Sequence, residues 1–147
     1  THGLMPGDFP GLVKPSLAMA YEGRGVEDSL LSMDEVIGLR LNADWVVLSA
    51  CNTGVTTGDA GDAFSALVRG FFAAGARTVA ATQWAVESQS AKQLMVATFK
   101  ALTDNPQLSK AQALSRAQRD MMAGKHGERF RHPYFWAPYF LAGDASR

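Results

Sequence analysis

Short apolar runs that alternate with longer amphipathic segments constrain the fold of this chain more than any other feature. Three runs are typical of buried β-strands: SLAMAY (Ser16–Tyr21), WVVLSA (Trp45–Ala50) and RTVAATQW (Arg77–Trp84). The segments between and after them carry apolar residues at the three- and four-residue spacing of helices. This alternation predicts an α/β fold with a mostly parallel sheet flanked by helices.

Local signals indicate where the helices begin and end. Ser32 and Glu35 form a capping box at the start of the first helix. Asp62 is expected to cap the second helix and Gly75 to end it. The later boundaries are a serine at the start of each helix and a breaker after it: Ser88 or Ser90 with Pro106, then Ser109 with Gly124. The segment HPYFWAPYFLAG is expected to form an aromatic-rich turn and a last strand.

Composition excludes several classes of protein. The 147 residues suffice for one domain, and 14 basic residues balance 14 acidic ones, which argues against a nucleic-acid binder. No run of eighteen apolar residues is present, so we expect no membrane span. A single cysteine cannot form an internal disulfide, which favours a reducing, cytoplasmic setting. Because the chain begins with Thr1, we expect it to be a piece of a longer protein.

The single cysteine, Cys51, follows an apolar run and precedes the polar stretch NTG. It is either a small packed hydrophobe at a strand end or a nucleophile. In parallel α/β sheets, ligands and reacting groups gather beyond the carboxyl ends of the strands. Both interpretations place Cys51 there, and they differ only in what surrounds its sulfur. A catalytic thiol near neutral pH also needs a histidine base.

Three histidines are available as that base. His2 precedes Gly3, whose backbone N–H can donate to a substrate oxyanion, with the N–H of Cys51 as a second donor. His132 lies in HPYFWAP, where proline and aromatic residues indicate a packed corner, and His126 lies in a polar stretch typical of a solvated loop. A competing hypothesis is phosphate binding at the glycine-rich segment after Cys51, but neither glycine-rich nucleotide motif is present and nearby aspartates would repel phosphate.

Taken together, the motifs resemble the CHAT domain, a caspase-like peptidase domain often found downstream of tetratricopeptide repeats. The resemblance rests on THG at residues 1–3, LLSMDEVIGLRLNADWVVLSACNTG at 30–54, GDAFSALVRGFFAAGARTVAATQWAV at 61–86 and HPYFWAPYFLAGD at 132–144. Asn52 stands where the family commonly has glutamate, and Gln83 where it commonly has leucine. The resemblance implies that His2 and Cys51 form the catalytic dyad of a cysteine endopeptidase.

The resemblance also implies partners. Several strands precede the histidine strand in caspase-like folds, so the chain is interpreted as the C-terminal portion of the domain (residues 1–147), completed by a missing N-terminal half or a second copy. Expected partners are a protein substrate and upstream tetratricopeptide repeats, with no nucleic acid and no membrane. No metal or cofactor is expected. The alternatives are a catalytically inactive caspase-like scaffold and, more remotely, a nucleotide-binding α/β domain.

Substrate preference is assigned to one position only. In related peptidases a pocket-lining residue follows the tryptophan strand, where this chain has WAVES, and Glu87 would select a basic residue before the cut. The other interpretation is that Glu87 only stabilises the N-terminus of the helix beginning at Ser88.

Overall fold

The computed structural model describes residues 2–4, 6–20, 23, 25, 27–48 and 67–146. In this part of the chain, short strands form two three-stranded sheets. The first sheet contains β1 (His2–Leu4), β2 (Ser16–Ala18) and β3 (Leu30–Ser32). The second contains β4 (Val46–Val47), β5 (Thr78–Thr82) and β6 (Tyr139–Gly143), with β5 in the centre.

The helices lie between and after the strands. They are α1 (Met33–Gly38), α2 (residues 67–73 as far as described), α3 (Ser88–Asp104) and α4 (Lys110–Met122). Short 3₁₀ helices cover Glu27–Ser29, Glu128–Arg131 and Pro133–Phe135. The fold is therefore mixed α/β, as predicted.

The prediction of a mostly parallel sheet is confirmed only for β4 and β5, which pair in parallel. α2 lies between these two strands in the sequence. The first sheet is antiparallel throughout, and its described connections contain turns and one 3₁₀ helix rather than the crossover helix that parallel strands require. β6 pairs antiparallel to β5, and α3 and α4 lie between these two strands in the sequence. The first and second sheets thus differ in their connections.

Two apolar clusters pack on opposite faces of the second sheet. The N-terminal core joins both sheets with α1 and α2, and contains Leu17, Val36, Leu48, Leu67, Val68, Phe71, Ala76, Val79 and Ala81. The C-terminal core lies under α3 and α4, and contains Leu94, Leu114, Ala117, Met121, Phe130 and Tyr139. All five residues of β5 are buried between them, as expected for the run RTVAATQW. SLAMAY and WVVLSA form shorter strands than predicted, in their described parts.

The predicted helix boundaries are confirmed where they are described. Ser32 caps α1 and Ser109 caps α4, each with a reciprocal capping box. Gly75 ends α2 with a φ of 103°: its N–H donates to Phe72 O, and the next N–H donates to Phe71 O. Gly124 ends the turn after α4 in a similar conformation, with a φ of 80°. The predicted cap Asp62 lies outside the described residues.

Candidate active site

The candidate site lies beyond the carboxyl ends of β4 and β5. Because these strands are parallel, their carboxyl ends lie at the same edge of the sheet. β4 is followed by Leu48, whose N–H donates to Ala80 O at 2.8 Å and keeps the two strands in register. Cys51 follows Leu48 by three residues in the sequence and lies outside the described residues.

The histidine motif lies in the first sheet. The backbones of His2 and Gly3 form part of β1, opposite Ala18 and Leu17 of β2. Leu17 packs in the N-terminal core together with Leu48, the last described residue before Cys51. The core therefore links β2, the neighbour of the histidine strand, to the strand that leads to the cysteine. The pairing of His2 with Cys51, and the oxyanion donors Gly3 and Cys51, stay predictions.

On the β5 side of the edge, Glu87 forms the N-cap of α3. Its Oε2 accepts a hydrogen bond from the Ser90 N–H at 2.8 Å, and its Oε1 lies 3.6 Å from the guanidinium of Arg129. The Ser90 N–H, and more weakly the Arg129 charge, hold the pKa of Glu87 below its usual value. The interpretation of Glu87 as a helix-terminus residue is thereby confirmed, whereas its role in substrate selection stays a prediction.

Arg129 is the residue at this edge that sequence reasoning missed. Its guanidinium lies 4.6 Å from the centre of the Phe130 ring and 5.6 Å from that of Phe135. These two rings meet edge to face at 5.4 Å, and Phe130 is buried in the C-terminal core. The only sequence signal was the mixture of basic and aromatic residues in GERFRH.

Trp84 joins the segment after β5 to the aromatic turn. Its indole Nε1–H donates to the Tyr134 carbonyl at 3.1 Å, and the Gln83 N–H donates to the Pro138 carbonyl at 2.9 Å. Two hydrogen bonds therefore hold the residues just beyond β5 against the segment that leads into β6. They fix the position of the segment that precedes Glu87.

The two other histidines lie in the segment between α4 and β6. The side chain of His132 is exposed, so the predicted packed corner is wrong for this residue; its Nδ1 accepts the Tyr134 N–H at 3.2 Å and caps a 3₁₀ helix. The packing in this corner comes from its aromatic neighbours. His126 lies in the turn after α4, half-buried.

His126 also lines a cavity of about 360 Å³ between α3 and α4. Alanines on α3 form part of its floor, and charged residues of both helices surround it: Lys92, Lys100, Asp104, Arg116 and Asp120. Among the predicted site residues that the structure describes, none lines this cavity.

Among the described residues, no cluster of three or more His, Cys, Asp and Glu side chains could hold a metal ion. Within those same ranges, no helix has the length and apolar character needed to cross a bilayer.

These observations define an α/β domain with a candidate site at the carboxyl edge of a parallel strand pair. Residues 1–144 match the family described as the CHAT domain. The chain therefore belongs to the CHAT domain family, a caspase-like family related to cysteine peptidases.

Two curated relatives are similar to most of the chain. Tetratricopeptide repeat protein 28 of Homo sapiens is 31% identical over 121 residues, which is 80% of this chain and 4% of that protein. The Mus musculus protein of the same name is also 31% identical over 121 residues, covering 80% of this chain and 5% of its own length. The chain thus spans only a small part of the relatives it matches. No solved structure matches it.

Proposed function

We propose that this domain is a cysteine endopeptidase that cleaves a protein substrate with a His2–Cys51 dyad. The observation that carries the proposal is the parallel β4–β5 pair in a chain of the CHAT family, because β4 ends four residues before Cys51 in the sequence. Both residues of the dyad motif are present in the sequence, each beside a small residue. A thiol in such a position suits attack on an extended peptide.

In the proposed reaction, the Cys51 thiolate attacks the scissile carbonyl carbon while the N–H groups of Gly3 and Cys51 hold the developing oxyanion. His2 takes the thiol proton and passes it to the leaving amine as the C–N bond breaks. Water then attacks the thioester, gives a proton to His2, and the carbon–sulfur bond breaks to release the acid and regenerate the thiol. These steps need neither metal nor cofactor, since the thiolate itself is the nucleophile.

The direct test is labelling of Cys51 by a peptide that carries an acyloxymethyl ketone, a group that alkylates activated thiols. The parent protein should be labelled at Cys51, and its Cys51→Ser variant should not. Because Cys51 is the only cysteine, no other thiol can contribute to the signal. A parent protein whose thiol reacts no faster than free cysteine would contradict the proposal.

A second candidate function is a catalytically inactive scaffold that keeps the caspase-like fold. It is favoured by the relatives, whose name describes repeats rather than a protease, and by the cavity between α3 and α4, which none of the described site residues lines. The labelling experiment separates the two functions. An unreactive Cys51 in a folded protein would favour the scaffold.

We further propose partners for the domain. In the described residues, β4 pairs only with β5, and we propose that its other side pairs with a strand from the N-terminal part of the same domain or from a second copy. By analogy with the relatives' name, tetratricopeptide repeats are proposed to accompany the domain in its full-length protein. A cytoplasmic setting suits a reaction that depends on a reduced thiol.

Co-purification tests the proposed strand partner. If β4 acquires a partner strand, light scattering should detect either a complex or a dimer rather than a stable monomer. A compact monomer with cooperative unfolding would contradict this part of the proposal.

A further inference from the structure

The cavity of about 360 Å³ between α3 and α4 follows one face of α3. The residues of α3 that line it recur at four-residue spacing, from Lys92 to Asp104. Over this stretch the helix rises about 18 Å, at about 1.5 Å per residue. Arg116 and Asp120 of α4 lie on the other side. The cavity is therefore an elongated groove between two packed helices, and we call it the α3–α4 groove.

The floor of the α3–α4 groove is apolar. Ala97 and Ala101 line it, together with Val96, which is 58% exposed. The small alanine side chains leave room for the side chains of an occupant, and Val96 presents a large apolar group to solvent. Apolar side chains placed along the floor would remove this surface from water. A purely polar ligand would leave it uncovered.

The acidic side chains that line the groove already have basic partners. Lys100 Nζ lies 2.8 Å from Oδ2 of Asp104, one turn further along α3. Lys125 Nζ lies 2.6 Å from Oδ1 of Asp120. Each aspartate is therefore balanced by a lysine, and neither gives the groove a net negative charge.

Two basic side chains of the groove have no partner. Within the described residues, Lys92 and Arg116 make neither a hydrogen bond nor an ion pair, and both are exposed. Leu48 and Leu67, which flank residues 49–66, pack in the N-terminal core on the opposite face of the second sheet. The described side chains thus give the groove an excess of positive charge, which favours an occupant that carries carboxylates.

Gln93 adds a buried polar atom without a partner. It lines the groove, and its Oε1 accepts no hydrogen bond from the described residues. A donor on an occupant would recover the free energy that such an unpaired amide oxygen costs. A simple carboxylate anion has no such donor, whereas a peptide has N–H and hydroxyl groups. The length of the groove, its apolar floor and this acceptor together favour a peptide over a small anion.

We propose that the α3–α4 groove binds an acidic amphipathic helix of a partner protein. The apolar stripe of that helix would lie on Val96, Ala97 and Ala101. Its aspartate or glutamate side chains would accept hydrogen bonds from Lys92 and Arg116. The inference is independent of the proposed catalytic dyad, because it applies equally to a peptidase and to a scaffold.

The test uses the full-length protein and a designed fluorescent peptide of about eighteen residues, long enough to form a helix in isolation. This peptide has leucines at three- and four-residue spacing with glutamates beside them, and a second peptide has lysine at every glutamate position. Fluorescence anisotropy should show that the parent protein binds the glutamate peptide at least about tenfold more tightly than the lysine peptide. Replacing the leucines with alanine should also weaken binding, since the floor is apolar.

Charge reversal locates the binding. Lys92→Glu combined with Arg116→Glu should exchange the preference, so that the lysine peptide binds more tightly than the glutamate peptide. A misfolded variant could not gain affinity in this way. The matched control is Arg40→Glu combined with Arg119→Glu, which changes the net charge equally at exposed residues outside the groove. The control should keep the preference of the parent.

The same proteins distinguish other occupants. A parent that binds the two peptides equally would overturn the inference, and so would a preference that the control loses as well. Binding of phosphatidylserine vesicles but of neither peptide would overturn it in favour of a membrane surface. A dimer in light scattering that only the groove variant loses would overturn it in favour of a second copy of this chain.

Discussion

The two edges of the second sheet are built differently. At the amino edge, where β4 and β5 begin, the backbones of the two preceding segments are hydrogen-bonded to each other. Leu41 N–H donates to Ala74 O, and Arg77 N–H donates to Ala43 O. On the other side of β5, Asp144 N–H donates to Arg77 O, and the Thr78 hydroxyl donates to Asp144 O. This edge is held by main-chain hydrogen bonds that depend little on side-chain identity.

At the carboxyl edge, side chains add connections to the main-chain hydrogen bonds of Leu48 and Gln83. Trp84 bonds to a carbonyl of the aromatic turn, Glu87 caps α3, and Arg129 lies between Glu87 and two rings. Charged and aromatic groups thus lie where β4 and β5 lead out of the sheet. We expect the amino edge to contribute mainly to stability and the carboxyl edge to the proposed function, and substitutions at each edge can test this division.

The largest expected effect is that of removing the proposed general base, His2, which lies in β1 of the first sheet. His2→Ala should lower kcat/KM for peptide cleavage by about 10²- to 10⁴-fold, because the thiol loses its general base. It should also slow alkylation of Cys51 at pH 7. Steady-state kinetics and alkylation rates provide the two measurements.

His132→Ala is the matched control, because His132 is exposed and only caps a 3₁₀ helix. It should leave cleavage unchanged. Equal losses in both variants, or no loss in His2→Ala, would remove His2 from the mechanism.

The second effect is at the amino edge and concerns stability. Gly75 has a φ of 103°, and a Cβ added there would lie 2.2 Å from the Leu41 carbonyl oxygen. Gly75→Ala should therefore lower the free energy of unfolding by about 2–4 kcal/mol, through backbone strain and the clash together. Urea denaturation measures this loss, while cleavage per folded molecule should stay at the parent's value.

Gly38→Ala provides the comparison for Gly75→Ala. Gly38 ends α1, has no left-handed φ, and a Cβ added there meets nothing within 4 Å. Its substitution should change stability little. If Gly75→Ala is as stable as Gly38→Ala, the amino edge does not depend on the close approach of these two chain segments.

Boundaries of helices could be predicted from the sequence because they depend on neighbouring residues. The capping boxes at Ser32 and Ser109 and the stop at Gly75 each involve groups within five residues, so their pattern is visible in the sequence. Strand pairing was predicted less well. Whether β2 pairs parallel or antiparallel depends on partners distant in the sequence, which an apolar run does not identify.

The candidate site shows the same distinction. Its motifs could be found in the sequence, since His2 precedes a glycine and Cys51 follows an apolar run. Arg129 could not, because its importance arises from Glu87, far away in the sequence, and from the rings that support its guanidinium. These contacts of Arg129 are therefore visible only in the three-dimensional structure.

The third expected effect is a pH-dependent contribution of Glu87 to stability. The Ser90 N–H and the Arg129 charge lower the pKa of Glu87 below 4.5, so its ionised form favours the folded state. This contribution is fully present above about pH 5 and is lost as the pH falls below 4.5 through the folded-state pKa. Glu87→Gln should therefore lower the Tm by a few degrees at pH 7, and the difference from the parent should shrink below pH 4.5.

Thermal unfolding at several pH values measures this difference, with Gln89→Ala as the control on an exposed side chain of the same helical turn. The control should show no such pH dependence. A Glu87→Gln difference that is constant from pH 7 to pH 3 would mean that the carboxylate charge does not stabilise the N-terminus of α3.

The smallest effect concerns the ion pair at the amino edge. The guanidinium of Arg77 lies 2.9 Å from Oδ1 of Asp44. Because the two side chains are 66% and 73% exposed, solvent screens their attraction. A double-mutant cycle with Arg77→Gln and Asp44→Asn should give a coupling energy of at most about 0.5 kcal/mol. The backbone of Arg77 is already fixed by Ala43 and Asp144, and neither substitution removes those hydrogen bonds. Urea denaturation of the four proteins measures the coupling, and a value above about 1.5 kcal/mol would show that side chains as well as main-chain groups hold this edge together.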